Sequence, residues 1–228
     1  SSSNARFYVL FGSGDTLLFK QYDGSSTNFD LTTNRKFRDT SAWYNIVYNF
    51  DSDNGTADLR QRIWVNGVEE TSFSSRTNPS SSYDSFVNQT KPHNIGNDTN
   101  VSSRFFNGYI SHFSFVDGQA LAPTVFGETD STSGIWKFKS PSGVTWGTNG
   151  FHLKFENSAA LGTDSSGNTN TFTVNGNLKQ ALDTPSNVHA TWNPNLAMNG
   201  TMTLANGNTT GTTGSNYSAN ASHPQGPS

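Results

Sequence analysis

The sequence predicts an all-β protein whose strands pair antiparallel in a sandwich. Apolar and polar residues alternate over short runs, which is the pattern of a strand with one buried face. Gly, Asn, Ser and Thr supply 106 of the 228 residues, a composition typical of turns and strands. No stretch repeats its apolar residues with a period of 3.6, so we expect no amphipathic helix.

The first predicted element is a hairpin near the start of the chain. Phe7, Val9 and Phe11 recur at every second position and therefore share one face of a strand. Gly12-Ser13-Gly14-Asp15 has the composition of a turn, after which residues 17–22 can return. We expect these two runs to pair antiparallel.

A long strand and a second hairpin are predicted next. Residues 43–50 alternate in character along their length, and a polar run ends them. Ile63 and Val65 then lead into Asn66-Gly67, the dipeptide that best tolerates positive φ at both central positions of a type I′ turn. Residues 68–73 would return antiparallel, and this hairpin has the strongest local signal in the chain.

Long polar connections separate the later strands. Residues 74–100 predict a loop with one short strand near residues 86–87. The β pattern resumes at residues 109–116, and further strands are predicted at 151–155 and 172–174. Short strands at this spacing, with Asn, Gly and Pro between them, favour an antiparallel sandwich.

Composition divides the chain into three segments. We expect the sandwich in residues 1–127 and a downstream β segment in residues 128–195, packed on the sandwich or on a neighbour. Residues 196–228 contain no Asp, Glu, Lys, Arg, Phe, Ile, Val or Trp, so they can bury little surface by themselves. They form either a polar linker or the start of a further β module.

Charge and hydropathy exclude several classes of function. Charged residues are 14% of the chain, against roughly 25% in an average globular domain. The net charge is −3, so we expect no nucleic-acid partner. The chain has no run of about 18 apolar residues, so we expect no membrane insertion. It also has no cysteine for disulfides or thiolate chemistry.

Seven motifs together resemble one known family. They are SAWYNIVYNF at 41–50, RQRIWVNG at 60–67, HNIG at 93–96, FNGYISHFSFVDGQAL at 106–121, FGETDSTSGIWKFK at 126–139, NGFHLKFENSAALGTDSSGNTNTFTVNG at 149–176 and DTPSNVHATWNP at 183–194. In this order they are similar to the concanavalin A-like, laminin-G-like modules in fibre, appendage and other structural proteins of tailed bacteriophages, especially marine ones. The likeness covers roughly residues 6–195.

The resemblance implies an antiparallel concanavalin A-like, laminin-G-like jelly-roll sandwich with no enzymatic activity. It implies a virion structural or adhesion protein, part of a fibre, an appendage or the capsid surface, and therefore located on the virion, outside the cell. Its partners would be other virion subunits, with the chain forming a homo-oligomer. Loops 74–100 and 121–149 would contact a host-surface glycan or a neighbouring subunit.

The resemblance also raises the question of a missing strand. The family normally places at least one more strand ahead of the position where this chain begins. An unpaired sheet edge is normally covered or blunted. The chain is then a fragment of a longer protein, or another subunit or residues 149–176 fill the gap. The last hypothesis requires residues 151–156 to pair with a strand of residues 6–120.

Catalysis would need paired carboxylates on one strand. Members of the fold that resemble β-glucanases carry Glu-x-Asp-x-x-Glu or Glu-x-Asp-x-Glu, which places the acids on one face. Only Glu128-Thr129-Asp130 begins this pattern, and no third acid follows it. Glu69 and Glu70 are adjacent and would face opposite sides of a strand. We expect no catalytic residue. The alternative is a secreted carbohydrate-binding protein or glycoside hydrolase of the same fold.

Calcium is the one cofactor that the sequence suggests, because it binds oxygen ligands on loops. The candidate calcium ligands are Asp51 and Asp53, near Gly55, and Asp164 with Asn168. The competing interpretation is that each Asp or Asn bonds to its own turn. The histidines lack the spacing of a zinc site; they are His93, His112, His152, His189 and His223.

A sugar site would need an exposed aromatic face beside polar groups. The aromatic residues with Asn or Asp nearby are Tyr22, Tyr83, Trp146 and Trp192. A sequence does not tell which of them are exposed, so we assign no sugar site from it. A third interpretation is a spacer module without any ligand.

Overall fold

The computed structural model describes residues 5–99, 101, 104–181 and 184–185, and the backbone of four strands between residues 191 and 222. Within this part of the chain the strands pair antiparallel and no α-helix occurs, which confirms the all-β prediction. The same part contains no helix with the length and hydropathy required to span a bilayer.

The strands are numbered along the chain. They are β1 (Arg6–Phe11), β2 (Leu17–Tyr22), β3 (Thr27–Thr33), β4 (Ile46–Phe50), β5 (Gln61–Val65), β6 (Val68–Glu70), β7 (Phe73–Thr77), β8 (Phe113–Phe115), β9 (Gly127–Thr129), β10 (Trp136–Phe138), β11 (Phe151–Leu153), β12 (Thr191–Ala197), β13 (Met202–Ala205), β14 (Thr210–Thr213) and β15 (Ala219–Ser222). Short 3-10 helices occupy Ala57–Leu59, Phe86–Asn88 and Pro123–Val125.

The chain divides into two compact units that interleave along the sequence. The first unit comprises Ser1–Thr40, Tyr44–Gly108 and Ala120–Thr129. The second unit comprises Ser41–Trp43, Tyr109–Gln119 and Asp130–Ser228. The three segments expected from composition stay a prediction.

The first unit is a sandwich of two sheets. One sheet has the strand order β1-β2-β3-β7, and the other has the order β4-β5-β6. The two sheets share one buried core, formed by Leu17, Phe19, Leu31, Ile63 and Val65. The sheets pack together because period-two alternation places these apolar side chains on the facing surfaces.

Two polar side chains also lie between the sheets. The Tyr48 ring stacks on the ring of Phe19 with 4.2 Å between centroids, and burial raises the pKa of its phenol. Its hydroxyl donates to Oε1 of Gln61 at 3.3 Å. Gln61 is fully buried, and its Nε2 donates across to the carbonyl of Thr77 at 2.7 Å. Gln61 therefore links the two sheets through hydrogen bonds as well as through packing.

Both predicted hairpins are present in the first unit. β1 pairs with β2 over their whole length, from Arg6 opposite Tyr22 to Phe11 opposite Leu17. β5 and β6 are joined at Asn66 and Gly67, whose φ values are +50° and +75°. Positive φ at both positions is the geometry that the Asn-Gly dipeptide predicts.

The strand predicted at residues 68–73 is divided between the two sheets. Its first part is β6, and Phe73 already belongs to β7 in the other sheet. The Glu70 carboxylate accepts hydrogen bonds from Arg35 Nε at 2.7 Å and from the Ser72 backbone at 3.3 Å. These bonds hold the chain where it turns between the sheets, so β7 occupies the start of the predicted loop.

Several other boundaries differ from the prediction. The strand expected at 151–155 ends at Leu153, because Phe155 has a φ of +57°, outside the range of extended backbone. The runs expected at 43–50 and 109–116 contract to β4 and β8. Residues 86–87 lie in a 3-10 helix, residues 172–174 form no strand, and β3 was not predicted.

The second unit contains the strand pair that the missing-strand hypothesis requires. β11 pairs antiparallel with β8, with Phe151 opposite Phe115 and Leu153 opposite Phe113. Phe151 is buried and packs against Phe172, with 4.8 Å between ring centroids. Further along the chain, β12 pairs with β15 and β13 with β14. Whether residues 149–176 replace a missing strand stays a prediction.

Candidate functional site

A row of polar side chains crosses the outer face of the four-stranded sheet. Tyr8 in β1 lies opposite Lys20 in β2, and Lys20 lies opposite Asp30 in β3. Asp30 in turn lies opposite Thr77 in β7. Residues between them along the strands, such as Phe19, point into the core because side chains alternate. We call Tyr8, Lys20, Asp30 and Thr77 the polar row.

Asp30 is the most deeply placed member of the polar row, with 5% of its surface exposed. Its Oδ1 accepts a hydrogen bond from the Thr32 hydroxyl at 2.9 Å. Its Oδ2 accepts one from the Ser75 hydroxyl at 2.6 Å. Both donors sit on the same sheet face, so the carboxylate is held rigidly and its burial is compensated.

Tyr8 presents a half-buried aromatic ring at one end of the polar row. The guanidinium carbon of Arg6 lies 5.0 Å from the ring centroid, within the range of a cation–π contact. Burial raises the pKa of the Tyr8 phenol, the charges of Arg6 and Arg104 oppose that rise, and those of Asp30 and Asp98 add to it. The phenol is therefore neutral at physiological pH and offers a hydroxyl and a ring face.

A loop brings two further charges to this end of the sheet. Asp98 Oδ2 lies 3.4 Å from Arg6 Nε and 3.5 Å from Arg104 Nη1. The Asp98 backbone N–H donates to the Arg104 carbonyl at 3.0 Å, which holds the loop in a hairpin shape. An aromatic ring, cations, carboxylates and hydroxyls thus converge on one sheet face. This set of groups suits a ligand with many hydroxyls and an apolar ring face.

Tyr83, one of the aromatic residues considered from sequence, fastens a loop to the sheet. Its hydroxyl accepts a hydrogen bond from Gln21 Nε2 at 2.6 Å, and its ring meets Phe29 edge-on at 5.9 Å. Gln21 is fully buried, and its Oε1 accepts from the Ser85 hydroxyl and the Phe86 backbone, each at 2.9 Å. The structure therefore gives Tyr83 a packing role.

The other aromatic residues considered from sequence are not members of the polar row, although Tyr22 shares its sheet face, two positions from Lys20 in β2. Trp146 belongs to the second unit, where its ring stacks on His152 with 5.4 Å between centroids. Tyr22 lies at the end of β2, opposite Arg6. The side chain of Trp192 lies outside the described residues.

The calcium candidates Asp51 and Asp53 lie in a turn of the first unit. The Asp51 carbonyl accepts from the Asn54 backbone at 3.1 Å, and Asp51 Oδ2 accepts from Asn54 Nδ2 at 3.4 Å. Asp58, further along this loop, accepts instead from Asn78 Nδ2 at 2.7 Å. Among the described residues no three His, Cys, Asp or Glu side chains converge as a metal site.

The calcium candidate Asp164 organises a loop of the second unit. Its Oδ1 accepts from the backbones of His152 at 2.9 Å and Ser166 at 2.8 Å. Its Oδ2 accepts from the Ser166 hydroxyl at 2.8 Å and the Asn170 backbone at 2.9 Å. These four donors use the roughly four lone-pair sites of a carboxylate. Burial alone would raise the pKa of Asp164, but the hydrogen bonds outweigh it and lower the pKa.

The calcium candidate Asn168 also bonds within its own loop. Its Nδ2 donates to the carbonyls of Gly147 and of Gly150, the latter at 2.9 Å. Because the Asp164 oxygens already accept four hydrogen bonds within the loop, this carboxylate as placed does not fit a calcium ion. A calcium site here stays a prediction that this geometry does not favour.

Replacing Asp164 by asparagine should destabilise the second unit by about 1–3 kcal/mol. The NH2 group of the asparagine would face backbone N–H groups whose hydrogen bonds the carboxylate now accepts. The measurement is chemical unfolding of the full chain, with and without calcium. Asp53→Asn, which removes the same charge from the exposed turn, is the matched control and should change stability little. Stabilisation by calcium that Asp164→Asn abolishes would contradict this assignment.

Asp130, the last residue of the Glu128-Thr129-Asp130 motif, holds its own turn through hydrogen bonds. Its Oδ1 accepts from the backbones of Ser133 at 2.9 Å and Thr132 at 3.0 Å, and its Oδ2 lies 3.1 Å from Lys137 Nζ. Hydrogen bonds from Ser133, then Lys137 and Thr132, hold the pKa of this carboxyl well below its usual range. A carboxyl that stays ionised in this way is a poor general acid.

Two histidines that are far apart in the sequence meet in the second unit. His112 Nδ1 and His152 Nε2 lie 3.2 Å apart. His152 is 2% exposed, and burial lowers the pKa of both imidazoles, that of His152 to about 4. Spacing along the chain could not reveal this pair, because its members are 40 residues apart. His189 and His223 lie outside the described residues.

The polar row was not identified from sequence either. The alternation of β1 and β2 was visible, but only the strand register places Tyr8 beside Lys20 and Lys20 beside Asp30. The polar positions of β3 were a usable signal, since Asn28, Asp30 and Thr32 alternate with Phe29 and Leu31.

Two antiparallel sheets that enclose one core place the first unit in the class of β-sandwich proteins. A family model for the concanavalin A-like lectin/glucanases superfamily matches residues 1–125, more than half of the chain. The chain belongs to this superfamily. A search of curated proteins found no match, and neither did a search of solved structures.

Proposed function

We propose that the first unit is a carbohydrate-binding adhesion module that holds its ligand on the polar row and performs no chemistry on it. The observation that carries this proposal is the register of Tyr8, Lys20 and Asp30 across three hydrogen-bonded strands. Membership of a superfamily of lectins and glucanases supports a carbohydrate ligand over other polar ligands.

The groups of the polar row match the two surfaces of a sugar ring. The Tyr8 ring can pack against the apolar C–H face, while the Lys20 ammonium and the Thr77 hydroxyl can bond to sugar hydroxyls. The hydrogen bonds that hold Asp30 keep this face ordered without a ligand. A preorganised surface loses less conformational entropy when it binds.

The absence of catalysis is part of the proposal and rests on the state of the acids. Asp98 is bound to two arginines, and Asp130 to its own turn and a lysine. A glycoside hydrolase needs one carboxyl that donates a proton and a second that acts as nucleophile or base. Asp98 is occupied by its ion pairs, and the pKa of Asp130 is held below its usual range, which supports binding over hydrolysis.

We extend the proposal to the setting of the module. The motifs that resemble tailed-phage structural proteins support a place on the virion, in a fibre, an appendage or the capsid surface, with other virion subunits and copies of this chain as partners. Repetition in such an assembly would raise a weak single-site affinity for a host-surface glycan through effective concentration.

The test is a glycan array probed with the full chain, followed by calorimetry on the glycans that it retains. Tyr8→Ala should weaken binding about tenfold, because it removes a stacking contact of about 1–1.5 kcal/mol. Tyr8→Phe keeps the ring and should retain most of the affinity. Comparison of the two Tyr8 variants distinguishes the contribution of the ring from that of the hydroxyl.

Three outcomes would overturn the proposal. Retention of no glycan would contradict a carbohydrate-binding function, and equal binding by both Tyr8 variants and the unaltered chain would place the sugar elsewhere. Release of reducing sugar from a retained glycan would favour the hydrolase alternative. Circular dichroism of each variant checks that its β structure is intact.

A further inference from the structure

The most exposed charge beside the polar row is that of Arg104, whereas Asp30 is buried and Asp98 is largely covered. Asp30 is 5% exposed, and the Asp98 side chain is 14% exposed. The Arg104 side chain is 50% exposed, and Lys20 is half-buried. A ligand that approaches this face therefore meets cations first.

The two acids are also occupied by groups of the protein. Asp30 accepts from two hydroxyls, as described above, and Asp98 lies within 3.5 Å of both Arg6 and Arg104. One carboxylate shared between two guanidiniums leaves donors of Arg104 available, because each guanidinium carries five N–H groups.

Lys20 has its ammonium available for a ligand. It lies between Tyr8 and Asp30 in the register, and within the described residues it forms no ion pair. With Arg6 and Arg104, this end of the sheet holds three cations against two acids, in a chain whose net charge is −3. The local excess of positive charge is therefore opposite in sign to the charge of the whole protein.

We infer that the ligand of the polar row is an acidic polysaccharide, whose anionic groups contact Lys20 and Arg104 while a sugar ring lies on Tyr8. This inference rests on the proposed function and names its ligand class. Charge-assisted hydrogen bonds to carboxylate or sulfate are about twice as strong as neutral ones. The ring contact distinguishes such a ligand from a polyanion without sugar rings.

The experiment compares polymers that share a backbone and differ in charge. Binding of the full chain is measured by calorimetry to polygalacturonate and its methyl ester, and to dextran sulfate and dextran. We expect the charged member of at least one pair to bind about tenfold or more tightly, and the preferred pair to show whether carboxylate or sulfate is recognised. Added salt should weaken this binding, because exposed charges are screened.

Two variants assign the effect to the polar row. Lys20→Met and Arg104→Gln should each weaken binding of the charged polymer several-fold more than binding of its neutral form. Lys179→Met removes an exposed lysine of the second unit and should change the binding of neither the charged nor the neutral polymer. Polyglutamate, which carries carboxylates without sugar rings, should bind weakly.

The outcomes separate this inference from the proposed function. Equal binding of charged and neutral polymers would overturn the acidic ligand class and leave carbohydrate binding in place. Polyglutamate binding as tight as that of polygalacturonate would show a non-specific cationic surface and would also overturn the inference. If the glycan array and all four polysaccharides gave no binding, the proposed function itself would fail.

Discussion

Replacing Phe29 by alanine is expected to destabilise the first unit by about 3–5 kcal/mol. Phe29 is completely buried, and its ring lies 4.9 Å from that of Phe50 and 5.9 Å from those of Phe7 and Tyr83. Alanine would leave a cavity that joins both sheets and the loop fastened at Tyr83. Neighbours anchored in two sheets can collapse into it only partly.

The measurement is denaturant unfolding of the full chain, with the midpoint and slope compared between variants. Phe105→Ala is the matched control, because Phe105 is 71% exposed and its loss should change stability by less than about 0.5 kcal/mol. A Phe29→Ala midpoint equal to that of the control would show that the interface between the sheets does not depend on this ring. Phe29→Leu should lose less stability than Phe29→Ala, because the leucine side chain fills much of the cavity.

The second unit is expected to lose stability as the pH falls below about 6.5, the ordinary pKa of histidine. Burial lowers the pKa of His112 and of His152, the latter to about 4, so the folded unit binds protons less readily than the unfolded chain. The stability from the neutral pair is complete above pH 6.5 and is lost progressively between 6.5 and about 4. Each linked proton costs up to about 1.4 kcal/mol per pH unit.

The surroundings of the histidine pair explain why protons are excluded. Phe138 stacks on His112 with 4.0 Å between ring centroids, and Trp146 covers His152. The charged groups that act on the pair are Lys154, Glu156 and Asp164; Lys137, next to Phe138, is paired with Asp130. Lys154 opposes protonation, while Glu156 and Asp164 favour it less strongly than burial disfavours it.

The pH dependence can be measured by hydrogen exchange of the β8 and β11 amides in the full chain, corrected for the intrinsic pH dependence of exchange. His152→Phe keeps a ring beside Trp146 and should reduce the change in exchange protection between pH 6.5 and 4. His93→Gln changes an exposed histidine of the first unit and should leave the profile as it is. Protection of β11 that stays constant down to pH 4 in the unaltered chain would contradict the expectation.

Local chemistry made parts of the first unit predictable. The Asn66-Gly67 turn follows from the backbone preferences of two residues, and the β1-β2 hairpin from alternation on both sides of a short turn. The division of residues 68–77 between two sheets was not predictable in this way. It depends on the bond between Glu70 and Arg35, which are 35 residues apart.

The candidate site shows the same limit. The sequence suggested Asp164 and Asn168 as calcium ligands, whereas their hydrogen bonds with His152 and Gly150 give them the role of fastening a loop. The polar row was missed because its members come from four strands. Alternation tells which residues of one strand share a face, but it does not tell which residue of the next strand lies beside them.

By itself the sequence determined the fold class, the two hairpins and the lectin-like superfamily, because these depend on composition, period-two patterning and motifs read along the chain. Tertiary structure alone decided the pairing of His112 with His152 and the alignment of Tyr8, Lys20 and Asp30. Those arrangements depend on strand register and chain reversal, which bring together residues that no local interaction connects.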